Sequence, residues 1–135
     1  MNTFKLTVLS ANKPFYEGEC ESLIIPASDG LYGIQAGHRN LITAIIPGMM
    51  TMTCGGKKTV AAVSKGMLKA EDGEVLVLVD TAELPEEIDI NRAKRDADMA
   101  KEAILQKKSI RDYYTAQAKL ARALNRLKVK NHDIQ

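Results

Sequence analysis

Three arginines stand where they could build an anion site. Arg122 and Arg126 are four residues apart, so on a helix they share a face. Arg92 belongs to an earlier segment, close in sequence to the carboxylates of Glu83 and Asp89. A guanidinium group is planar, always charged and suited to bidentate contact with phosphate. Three held together repel one another unless an anion neutralises them, and a polyphosphate would do so. Glu83 and Asp89 could balance an arginine or hydrogen-bond a base or sugar. The alternative is a solvated basic face whose arginines pair with carboxylates along their own helices.

Two regimes of periodicity must position these residues. They meet in the stretch from Asp80 to Ala93, DTAELPEEIDINRA. Before it, short β-branched runs are broken by glycine. After it, apolar residues recur every three or four positions and glycine disappears. The charge divides at the same place. Residues 1–88 carry 7 Lys+Arg against 11 Asp+Glu, a net −4; residues 89–135 carry 12 against 6, a net +6. An acidic half joined to a basic half suggests a different partner for each.

The first regime predicts an antiparallel β-sandwich. Phe4, Leu6 and Val8 alternate with polar residues, as on a half-buried strand. Runs at Leu23–Ile25 and Leu41–Ile46 stop at Pro26 and Pro47, and Met50 to Cys54 alternates again. Gly55-Gly56 and Asp72-Gly73 are hairpin signals. Glu74–Val79 is the strongest strand, and its near-continuous apolar run predicts burial on both faces. No helix is available in this half to cover a sheet, so two sheets facing each other are expected.

The second regime predicts an antiparallel two-helix hairpin, giving an α+β chain. Asp89 is a good N-cap, and Ile88 with Ala93 could staple the entry. Ala93, Ala97, Ala100 and Ile104 share one face of the first helix. Lys107-Lys108-Ser109 is a polar break, with Ser109 and Asp112 placed as a capping box. Ile110, Tyr113, Gln117, Leu120, Leu124 and Leu127 make the second stripe, reinforced by Tyr114 and Ala121. A turn near 107 or 108 pairs residues whose numbers sum to about 215, which sets Arg92 opposite Ala123. An alanine-lined seam buries little area, so the hairpin should need the sandwich, a ligand or a partner to stay shut. The expected division is therefore a sandwich over residues 1–84, a hinge over 85–88 and a helical hairpin over 89–135.

Other features point away from catalysis and from membrane insertion. No run reaches the roughly 18 apolar residues of a membrane span, and the N-terminus lacks signal-peptide character. The segment from Ser28 to His38 is glycine-rich but lacks GxGxxG or GK[ST] spacing, so it reads as turns between strands. His38 reads as a hydrogen-bonded loop histidine, and Cys20 and Cys54 as buried thiols without metal spacing. No nucleophile–base pair, metal cluster or phosphate loop suggests an enzyme or a catalytic cofactor. A nucleic-acid-binding module built on the basic hairpin is the competing function. Aromatics total 4%, and none interleaves with the basic residues for stacking.

The run Ile88-Asp89-Ile90-Asn91-Arg92-Ala93 resembles the I/L-D-x-x-R-A nucleotide motif of the epsilon subunit of bacterial F-type ATP synthases. The N-terminal stretch from Phe4 to Gly37-His38 is similar to that family's opening, and the likeness covers the whole chain. It implies a ten-stranded sandwich and a helical hairpin in a non-catalytic central-stalk subunit. The implied partners are the gamma subunit and the c-ring, with the alpha and beta subunits reached when the hairpin extends and inhibits hydrolysis. The implied ligand is ATP, with or without Mg²⁺, bound without hydrolysis in the compact form. By position, Ile88, Asp89, Arg92 and Ala93 match the motif, and Glu83, Arg122 and Arg126 match accessory positions. ATP-binding members similar to this chain carry a further arginine where Met99 stands. The implied location is the cytoplasmic side of a bacterial cell membrane, peripheral and held through the complex. Thylakoid membranes house similar subunits, and the nucleotide motif favours the bacterial setting.

Overall fold

The computed structural model describes residues 2–106 and 110–134, and side-chain burial for 2–105 and 114–131. The chain forms two compact units, Met1–Glu83 and Leu84–Gln135. The first unit holds ten strands: β1 (Phe4–Ser10), β2 (Pro14–Cys20), β3 (Ser22–Ala27), β4 (Gly30–Gln35), β5 (Leu41–Ile45), β6 (Gly48–Cys54), β7 (Lys57–Val63), β8 (Gly66–Glu71), β9 (Glu74–Val79) and β10 (Ala82–Glu83). They make two five-stranded sheets, ordered β2-β1-β9-β8-β5 and β10-β7-β6-β3-β4.

Alternation explains the packing. Phe4, Leu6 and Val8 of β1 and Val75, Val77 and Val79 of β9 point inward from the first sheet. Leu23 and Ile25 of β3, with Met50 and Met52 of β6, point inward from the second. These side chains form one buried cluster between the sheets. The two glycine turns behave as the sequence predicts. Gly55 and Gly56 both have positive φ, as do Asp72 and Gly73, which matches the twist a two-residue hairpin needs. Gly66 has a different reason. A Cβ there would collide with the Leu78 carbonyl oxygen, so β8 can begin against β9 only with glycine at that position.

Two strand expectations differ from the structure. The pairing is antiparallel except between β1 and β9, which run parallel with Lys5 opposite Glu74 and Ser10 opposite Val79. β9 is not buried on both faces: Leu78 is 38% exposed and lies opposite Met67 of β8, which is also exposed. The outer face of this sheet keeps apolar side chains, so an apolar run does not distinguish two-faced burial from an apolar exterior.

The second unit begins with a 3₁₀ turn, Pro85–Glu87, followed by α1 (Ile90–Gln106) and α2 (Ile110–Ile134). Pro85 fits the first position of the turn because it has no N–H to satisfy. Leu84 N–H donates to Glu87 Oε1 at 3.0 Å, and Glu87 N–H donates to the Leu84 carbonyl at 3.0 Å. Lys130 Nζ donates to the Pro85 carbonyl at 3.1 Å, tying this turn to α2. The expected break at Lys107-Lys108-Ser109 and its capping box lie outside the described residues, as do the side chains of Ile110 and Tyr113.

The seam between the helices is alanine from both sides. Ala93, Ala97 and Ala100 of α1 are buried, as expected. On α2 the buried residues among those described are Ala116, Ala123 and Val129, whereas Tyr114 and Leu124 are exposed. Leu120 and Leu127 are half-buried, and Gln117 and Ala121 are exposed. The stripe expected on α2 is therefore rotated. Two helices close most tightly on small side chains, and the larger leucines are left to flank the seam. The buried alanines 93 and 123, like 100 and 116, have numbers totalling 216, close to the expected pairing.

Candidate functional site

The hairpin's own groove is the leading candidate. Its volume is about 620 Å³, within the range of small-molecule pockets. Ala100, Ala103, Ala116 and Ala123 give it an apolar floor. Lys119, Arg122 and Arg126 line it from α2, spaced by three and four residues along one face. From α1 come Asp96 and Met99, the latter 68% exposed.

Asp96 Oδ2 lies 4.0 Å from Arg126 Nη1. The two numbers total more than the seam's pairing, and side-chain direction explains the difference. Helical side chains lean toward their own N-terminus, so in an antiparallel pair Asp96 and Arg126 lean toward each other. They meet near the level of Ala93 and Ala123.

The motif residues take separate roles around the start of α1. Asp89 caps the helix: its Oδ1 accepts from the N–H of Asn91 at 3.0 Å and of Arg92 at 3.1 Å. Ile88 and Ala93 flank this cap and are buried, which fits a staple. Their contribution is packing, which holds the first turn in place. Arg92 is exposed and is not among the groove-lining residues. Arg122 and Arg126 are half-buried in the groove. Glu83 ends β10 in the first unit. Sequence reasoning did not single out Asp96 or Lys119. Their signal was spacing: Asp96 is one turn from Arg92, and Lys119 is three residues before Arg122.

The sandwich places its polar residues in structural roles. His38 Nδ1 donates to the Arg39 carbonyl at 2.7 Å, since a carbonyl can only accept. Its Nε2 then accepts from Tyr32 O–H at 3.2 Å. His38 is the hydrogen-bonded loop histidine expected from sequence.

Cys20 is buried as expected, whereas Cys54 is only half-buried because it ends β6 at its hairpin turn; the two come together with Tyr16, although they are far apart in sequence. The buried Cys20 Sγ donates to the Ser22 carbonyl at 3.1 Å and the Thr53 carbonyl at 3.4 Å. Burial, and next the hydrogen bond with Cys54, push its thiol up to about 12. Cys54 is also the leading cause that pushes the Tyr16 hydroxyl up to about 12. Among the described residues, no group of three or more His, Cys, Asp or Glu could hold a metal ion. No helix among them is long and apolar enough to cross a membrane.

Residues 3–85 match the family model "ATP synthase, Delta/Epsilon chain, beta-sandwich domain", and residues 86–131 match its "long alpha-helix domain". The chain is 40% identical to an ATP synthase epsilon chain of Ruminiclostridium cellulolyticum, over 97% of this chain and 98% of that one. It is 37% identical to an ATP synthase epsilon chain of Ruminococcus albus, over 97% and 98%. Its fold is similar to a chain in the mitochondrial ATP synthase of Euglena gracilis, with a TM-score of 0.80 at 20% identity, covering 100% of this chain and 83% of that one.

Proposed function

Because the chain belongs to the ATP synthase delta/epsilon family, we propose that it is the epsilon-type central-stalk subunit whose C-terminal hairpin regulates ATP hydrolysis in response to ATP. The sandwich joins the gamma subunit to the c-ring, and the subunit sits peripherally on the cytoplasmic side of the cell membrane through the complex. It performs no catalysis itself. With ATP bound the hairpin stays closed. Without ATP it opens toward the alpha and beta subunits and obstructs rotation in the hydrolysis direction.

The observation that carries the ATP part of this reading is the groove between α1 and α2. It has cations on one wall, an alanine floor and room for a nucleotide. Arg122 and Arg126 take the phosphates, Arg92 adds charge from the first turn of α1, and the alanine floor accepts the apolar base. Asp89, Ile88 and Ala93 set the geometry of that turn. Glu83 is carried as an accessory residue by resemblance. A ligand bridging both helices binds only the closed form, so its differential affinity shifts the population.

Calorimetric titration of the full chain with ATP, with and without Mg²⁺, tests this. Saturable binding that is lost in an Arg122→Ala, Arg126→Ala variant is expected. The same variant should inhibit hydrolysis less in the assembled complex, because the basic helix docks on an acidic surface. No binding at millimolar ATP would remove the nucleotide from the account. Inhibition unchanged in the variant would remove the electrostatic docking.

A further inference from the structure

Resting on the nucleotide reading, we infer that Asp96 is a built-in competitor of the ligand's phosphates for Arg126 and so sets the ATP concentration at which the hairpin responds. Among the described residues that line the groove, Asp96 is the only carboxylate, against the cations Lys119, Arg122 and Arg126. It approaches Arg126 to 4.0 Å across the seam, and it stands one turn from Arg92 on its own helix. It is therefore placed to offset two of the three arginines proposed to meet the phosphates.

An incoming phosphate meets this carboxylate in two ways. It must displace or share the Arg126 contact, and it must tolerate a second negative charge in the same groove. Both effects weaken binding, and both vanish when Asp96 becomes neutral. The pair is partly exposed, so each effect is modest. Met99 supplies no compensating charge on the same wall. Without ligand, the same ion pair joins α1 to α2 and substitutes weakly for the anion.

The test is calorimetric titration of the full chain and its Asp96→Asn variant with ATP, and separately with inorganic tripolyphosphate. Asp96→Asn keeps the side chain's shape, and Asp96→Ala serves as a second variant. The expected result is ATP affinity tightened about fivefold, with a similar gain for tripolyphosphate. In an Arg126→Ala background the gain should disappear, because the two residues act through one contact. Binding by the variant alone, with none by the native chain, would be the same effect at its extreme. If the native chain binds ATP and Asp96→Asn binds it equally or more weakly, the competitor role is wrong and the nucleotide site stands. If the gain persists without Arg126, the coupling through that arginine is wrong. If neither chain binds at millimolar ligand, both the competitor role and the nucleotide site fall.

Discussion

The sandwich and the hairpin bury side chains of very different size. Between the sheets, Leu6, Leu23, Ile25, Met50 and Leu68 are fully buried. Among the described residues along the helical seam, the buried ones are Ala93, Ala97, Ala100, Ala116 and Ala123, with Val129 the largest. Burying a leucine is worth about 2–3 kcal/mol, whereas alanine offers one methyl at roughly 0.8 kcal/mol. Helix pairs also lack the many long-range ladder bonds of a closed sandwich. The first unit thus rests on large buried side chains and the second on small ones, which is the contrast that the proposed ligand-held hairpin needs.

The largest expected effect breaks the sandwich side of this comparison. Leu68→Ala should cost about 2–5 kcal/mol, read as a lower urea midpoint for the β signal. A cost below about 1 kcal/mol would mean that the sandwich core is not the rigid partner described. A smaller effect sharpens the hairpin side. Asp89→Ala removes the acceptor for the N–H groups of Asn91 and Arg92 and should cost about 1 kcal/mol. Amide exchange should rise first in the opening turn of α1, and unchanged exchange there would count against the cap.

A further effect is alkaline and belongs to the sandwich. Cys20 is raised from 9.0 to about 12, and Tyr16 from 10.0 to about 12. Both native values lie above the unfolded ones, so the unfolded chain releases its protons first. Their contribution is complete below 9.0 and declines as pH climbs toward 12. Urea melts on either side of that window should show the decline. Cys54→Ser should narrow it for Tyr16, whose shift Cys54 leads. Melts independent of pH across the window would contradict the thiol–phenol cluster around the buried Cys20.

The local features of the fold were legible in the sequence. Phe4, Leu6 and Val8 alternate in the sequence and in the structure, and the glycine turns fall where expected. Asp89 announces the start of α1 by residue type alone. What escaped was nonlocal. Nothing in β1 or β9 encodes that these two pair in parallel, since that register follows from closing the whole sheet. Alanine carries little hydropathy, so the true seam of α2 was hidden behind the louder pattern of Tyr114 and Leu124. Arg122 and Arg126 could be singled out as groove residues because their spacing and charge are both local. Asp96 was missed because its contact with Arg126 crosses the hairpin.

Hydrogen exchange on the full chain, followed residue by residue with and without ATP, tests the central claim most directly. Weak protection of α1 and α2 is expected in the free protein and strong protection with ATP, while the core of β1, β8 and β9 stays protected throughout. Strong protection of both helices without ligand, unchanged by ATP, would contradict that claim.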